Sequence, residues 1–76
     1  MAGMNLSEYI STSRGKAAEL AEQLGVSQAA VSYWVSGDRL PDVENCKRIE
    51  FATAGDVRCE DLRPDLNWNY LRSRAA

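Results

Sequence analysis

With 76 residues, 45% of them hydrophobic and 26% charged, the chain has material for one small globular domain with a modest core. Its formal net charge of −2 argues against a strong nonspecific nucleic-acid binder, because phosphate attraction supplies most nonspecific affinity. No apolar run approaches the roughly 20 residues of a membrane-crossing helix, and no basic patch followed by an apolar run marks a secretory leader, so a cytoplasmic setting is expected.

Residues 1–3 read equally as native sequence or as an added leader before Met4. Asn5, with Glu8 three positions on, has the spacing of a capping box and starts a first helix at about Leu6. Leu6, Tyr9 and Ile10 give that helix an inward face, and Ser11 to Gly15 reads as a polar turn. A second helix is predicted over about Lys16 to Leu24, with Leu20, Ala21 and Leu24 on one face at helical spacing.

Gly25 can adopt the positive φ of a sharp corner, Val26 can plug that corner, and Ser27 can cap a third helix over about Gln28 to Ser36. Val31, Trp34 and Val35 anchor the third helix, and Gly37 ends it. A small residue, a four-residue step, Gly, an apolar residue, a capping Ser and two further apolar anchors follow the order of a helix-turn-helix. An ordinary pair of antiparallel helices is the other reading of this stretch.

Pro41 and Asp42 open a fourth helix running to about Ala54, with Val43, Cys46, Ile49, Ala52 and Thr53 as its inward stripe and Gly55 as its stop. Glu60 to Arg63 suits one further helical turn, broken at Pro64, with Val57 and Leu62 closing the core. The tail from Leu66 to Leu71 carries large apolar residues without a clear period, and Arg72 to Ala76 is expected to fray.

The stretches Leu6–Ile10, Gly15–Gly37, Cys46–Glu50, Ala52–Gly55 and Asp61–Asp65 together resemble small phage-type Cro/cI repressors, and more closely their YdaS-like (Cro-like antitoxin) relatives. The resemblance implies an all-α, compact lambda-repressor-like bundle of about five short helices with a helix-turn-helix. It divides the chain into a DNA-binding domain over 1–65 and a tail over 66–76 suited to a dimer or partner contact. The loop from Gly37 to Pro41 departs from the more basic loops common in such proteins. The resemblance also brings the segments around Glu50 and Arg63 together, where a salt bridge is expected.

If the motif docks as a helix-turn-helix, Gln28, Ala29, Ser32 and Tyr33 on the uncharged third helix meet base edges. The Gln28 amide matches adenine N6 and N7, Ala29 suits a thymine methyl, Ser32 can donate or accept, and the Tyr33 hydroxyl reaches a base or a phosphate. Lys16, Ser27 and Arg39 are the phosphate candidates, Lys16 standing at a helix N-terminus that favours an anion. A merely solvated face also favours Gln and Ser, and for Arg14, Lys47 and Arg48 simple solvation stands beside phosphate contact as the reading. Trp34 is read as core rather than as a stacking platform.

Phe51 shares the outer face of the fourth helix with Glu44, Lys47 and Arg48. With Trp68, Tyr70 and Leu71 it would form an apolar patch for a dimer or partner, unless the tail folds back over it. Cys46 is expected to be a small buried apolar residue and Cys59 a bystander; two cysteines without a histidine complete no tetrahedral zinc site unaided. The lack of histidine also removes the usual general base, and no Gly-rich phosphate loop is present. The expected activity is therefore not enzymatic and needs no cofactor. The expected partners are a double-stranded DNA operator and a second copy of the chain, formed in solution or only on DNA. The alternative is an antitoxin-like module that neutralises a protein partner and regulates its own promoter.

Overall fold

A computed structural model describes residues 4–74, with side chains described to Leu71; the leader at 1–3 and the end at 75–76 lie outside the described residues. Six helices follow one another: α1 (Leu6–Ile10), α2 (Lys16–Leu24), α3 (Gln28–Ser36), α4 (Val43–Ala52), α5 (Cys59–Leu62) and α6 (Trp68–Arg74). No strand occurs among the described residues.

Local chemistry sets the helix ends. The Asn5 side chain accepts the Glu8 N–H at 2.8 Å while Glu8 accepts the Asn5 N–H at 3.0 Å, the reciprocal pair predicted for α1. Asp42 accepts the Asn45 N–H at 2.8 Å and so opens α4. Gly25, at φ 71°, turns the chain from α2 into α3, and the Val26 N–H returns to the Ala21 carbonyl at 3.0 Å. An L side chain at Gly25 would be held in the left-handed region, at a cost of roughly 1 kcal/mol.

The core joins Leu6 of α1, Leu20, Ala21 and Leu24 of α2, Val31 of α3, Cys46 and Ile49 of α4, Val57, Cys59 and Leu62 around α5, and Trp68 of α6. Val26, Trp34 and Val35 are partly buried against it, so the corner plug and the α3 anchors fall where their spacing placed them. Truncating a side chain as enclosed as Leu20 typically costs about 2–5 kcal/mol. Thr53 is the one buried polar residue among those described. Its hydroxyl donates to the Ile49 carbonyl at 2.9 Å and accepts the Val57 N–H at 3.1 Å, tying the end of α4 to the strand of chain entering α5.

Four expectations need correction. The fourth helix ends at Ala52 rather than Ala54, because Ala54 turns to φ 53° and Gly55 to φ 85°. The tail, where no clear period announced an element, forms α6, with Trp68 only 3% exposed and its indole N–H donating to the Arg63 carbonyl at 2.7 Å. With it the bundle has six short helices, in keeping with the expected compact all-α architecture. Cys59 is a buried core residue, not a bystander. The pairing of Glu50 with Arg63 gives way to two separate attachments. Glu50 Oε1 accepts the Cys59 N–H at 2.8 Å, capping α5, while Arg63 forms a bidentate pair with Asp65 at 2.9 and 3.0 Å and donates to the Pro41 carbonyl at 3.1 Å.

Candidate nucleic-acid interface

The surface of α3 follows from its anchoring. Val31 is fully buried, and Trp34 and Val35 pack beside the core, which turns Gln28, Ala29, Ser32 and Tyr33 to solvent along one side. All four are exposed, and the helix carries no charged residue. Ser27 starts the helix, its Oγ accepting the Ala30 N–H at 3.1 Å. The hydroxyl proton of Ser27 remains able to donate outward.

The far end of α3 is closed by the loop after Gly37. The Tyr33 carbonyl accepts the Gly37 N–H at 3.0 Å and the Arg39 N–H at 3.4 Å, which folds the loop back over the helix end. The Arg39 guanidinium thereby lies over the Tyr33 ring, 4.5 Å from its centroid. Tyr33 and Arg39 join Ser27, Ala29 and Leu40 in lining a shallow groove. Leu40, 54% exposed, adds an apolar side chain to that groove; an apolar residue in a Gly- and Asp-containing loop, outside any helical period, was its only signal in the sequence.

Lys16 opens α2, whose N-cap, Gly15, offers no side chain to the free N–H groups of the first turn. Its ammonium stands 3.4 Å from Glu19 Oε1 and 5.2 Å from the centre of the Tyr9 ring. Tyr9 and then Glu19 hold its pKa above the ordinary lysine value. Lys16 is therefore a secure cation, with a carboxylate neighbour that a phosphate would have to share. Arg14 is exposed. Arg48 does more than face solvent: it donates to the Leu24 carbonyl at 2.8 Å, placing a positive charge at the C-terminus of α2.

The apolar patch expected around Phe51 is not assembled as predicted. Trp68 belongs to the core and Leu71 is partly buried against it, whereas Tyr70 is 56% exposed. Phe51 itself is 90% exposed, so the described residues of the tail do not cover it. No helix among the described residues is long and apolar enough to cross a membrane.

The family model described as "Bacterial toxin YdaS" matches residues 6–71. The chain is 48% identical over 61 residues to the "Putative transcriptional regulator YdaS" of Escherichia coli (strain K12), a match covering 80% of this chain and 62% of that protein. It is 39% identical over 57 residues to the "Regulatory protein cro" of Pseudomonas phage D3, covering 75% of this chain and 78% of that protein. The matched stretch thus spans less than two thirds of the Escherichia coli relative. Both relatives are named for regulation and neither for catalysis.

Proposed function

The chain belongs to the YdaS family, and from that premise we propose that it is a Cro-like transcriptional regulator that binds double-stranded DNA sequence-specifically. In this reading α3 enters the major groove and reads base edges with Gln28, Ala29, Ser32 and Tyr33. Lys16, Ser27 and Arg39 hold phosphates on either side. The observation that carries the reading is the exposed, uncharged face of α3, with Arg39 stacked on Tyr33 at its far end. No carboxylate on that helix opposes a duplex.

Residues 1–65 act as the DNA-binding unit, while the segment 66–76 closes its core through Trp68 and offers Tyr70 and Leu71 to a partner. One domain of net charge −2 has a small footprint and modest phosphate attraction. Two copies on a roughly palindromic operator, with half-sites about 34 Å apart, supply the missing affinity. Occupying a promoter in this way represses it.

A second reading rests on the exposed Phe51 and the acidic balance: a module whose main task is to bind a protein partner, with DNA binding serving autoregulation. The family description says toxin where the sequence suggested an antitoxin, so the partner's side of such a pair is open to test. A mobility-shift series on the DNA upstream of the chain's own gene separates the readings. The regulator gives a shift that survives competitor DNA and weakens steeply with salt. Equal, weak retention of every duplex contradicts it.

A further inference from the structure

The loop from Gly37 to Pro41 carries Arg39 and is tied down at both ends. At its start the Tyr33 carbonyl accepts the Gly37 and Arg39 N–H groups, and the Ser36 hydroxyl oxygen accepts the Asp38 N–H at 3.3 Å. At its other end the Pro41 carbonyl accepts a hydrogen bond from Arg63 Nη1 at 3.1 Å. The Cys46 thiol reaches the same oxygen at 3.7 Å, but a thiol is a weak donor. The guanidinium is therefore the stronger of these two ties.

Arg63 is itself firmly seated. Its Nε and Nη2 engage the Asp65 carboxylate at 3.0 and 2.9 Å, a paired geometry that fixes the plane of the guanidinium and so aims Nη1. Its carbonyl accepts the Trp68 indole N–H at 2.7 Å, and its N–H donates to the Cys59 carbonyl at 2.9 Å. On the loop side, only Asp38, Arg39 and Leu40 separate the tied ends. Leu40 precedes a proline, which disfavours the helical region for it, and the φ of Pro41 is locked by its ring. These two residues have little freedom to absorb a shift of the Pro41 carbonyl, so the shift passes to Arg39. Arg63 is not among the residues lining the groove at Tyr33 and Arg39.

We infer that Arg63 is a positioning residue for the DNA contact of Arg39, a role that rests on the phosphate reading of Arg39 given above. Through the Pro41 carbonyl it holds the loop where the Arg39 guanidinium lies 4.5 Å from the centre of the Tyr33 ring. The arginine is thereby seated before DNA arrives, and less side-chain and loop freedom is lost when it meets a phosphate. Asp65 acts one step further back, by aiming the Arg63 fork. The segment after α5 thus takes part in the DNA face without touching the duplex.

Side-chain proton resonances of Arg39 in the full chain without DNA report the stack, because the Tyr33 ring current displaces them; Tyr33→Leu supplies their unstacked positions. Arg63→Lys keeps the charge but has a single ammonium for both the Asp65 carboxylate and the Pro41 carbonyl. Asp65→Asn, at an exposed site, turns one acceptor into a donor facing the guanidinium. Both variants should move the Arg39 signals towards the unstacked positions while the Leu20 and Val31 methyl signals stay in place. If Arg63→Lys unfolds the chain, Asp65→Asn carries the same readings. On DNA, either variant should weaken binding to every duplex alike, by about three- to tenfold for Arg63→Lys, and should cost nothing further in an Arg39→Ala background. Arg39 signals unchanged in the folded variants overturn the inference, whether or not the chain binds DNA. A loss of affinity that persists in full without Arg39 also overturns it, by making Arg63 act on the duplex directly. A wild-type chain that binds no duplex fails the phosphate reading instead, and the DNA-free resonances still decide whether Arg63 seats the loop.

Discussion

Arg39 lies with its guanidinium 4.5 Å from the centre of the Tyr33 ring, held there by a backbone hydrogen bond from its own N–H to the Tyr33 carbonyl. The tyrosine therefore presents a ring to the arginine and a hydroxyl to the surroundings, and the two roles can be separated. Arg39→Ala should weaken binding to all DNA sequences alike and lower the salt slope by about 1, as should Lys16→Ala. Tyr33→Phe keeps the stack and removes only the hydroxyl. Tyr33→Leu removes both, and in a double-mutant cycle with Arg39→Ala should show coupling of roughly 0.5–1 kcal/mol. Fluorescence anisotropy across a salt series measures each; none should shift thermal stability by more than about 0.5 kcal/mol.

Glu50 and Cys59 join α4 to α5 through a carboxylate accepting a backbone N–H at 2.8 Å. Glu50→Ala leaves that N–H without its acceptor, at a cost of about 1–2 kcal/mol. In a domain of this size, each 1 kcal/mol moves the melting temperature by roughly 4–8 °C. Glu50→Gln retains an acceptor oxygen and should lose less. Differential scanning calorimetry of the two variants decides whether the contact acts as a cap.

Cys46 has its thiol pushed up to about 11, first by burial, with Asp42 and Asp65 adding to the effect and Arg63 opposing it. A thiol that ionises less readily in the folded chain favours folding only while it stays protonated. Its contribution is therefore complete below the ordinary thiol range of about 8.5 and declines as pH rises from there towards 11. Denaturant unfolding at a series of alkaline pH values should show this loss, and Cys46→Ala should flatten it while lowering stability overall. At pH 8 the folded chain should resist thiol reagents at both Cys46 and Cys59, which are buried, and react on unfolding.

The helix-turn-helix was legible because its signals are local. Asn5, Ser27 and Asp42 cap through their own side chains within three residues, and Gly25 and Gly37 are the residues that turn the chain. The exposure of Gln28 and Tyr33 follows from the burial of Val31 one helical face away. What escaped was fixed by contacts between segments. Helix α6 depends on Trp68 entering the core and bonding Arg63, which no period in the tail announces. Arg48 reaches Leu24 across 24 residues of chain. Proximity of the Glu50 and Arg63 segments was correctly suggested, but Asp65 lies two residues from Arg63 and offers both carboxylate oxygens, so the guanidinium closes on its neighbour.

If the exposed face of α3 distinguishes base pairs, the Gln28 amide is the group whose removal should reveal it. Affinities of the wild-type chain and Gln28→Ala should be compared on the best-bound duplex and on its single-base-pair variants at fixed salt. Gln28→Ala should lose about 5- to 150-fold on the best site, with preference relaxed at one base pair and affinity for unrelated DNA unchanged. Equal affinity of both proteins for every duplex would contradict it.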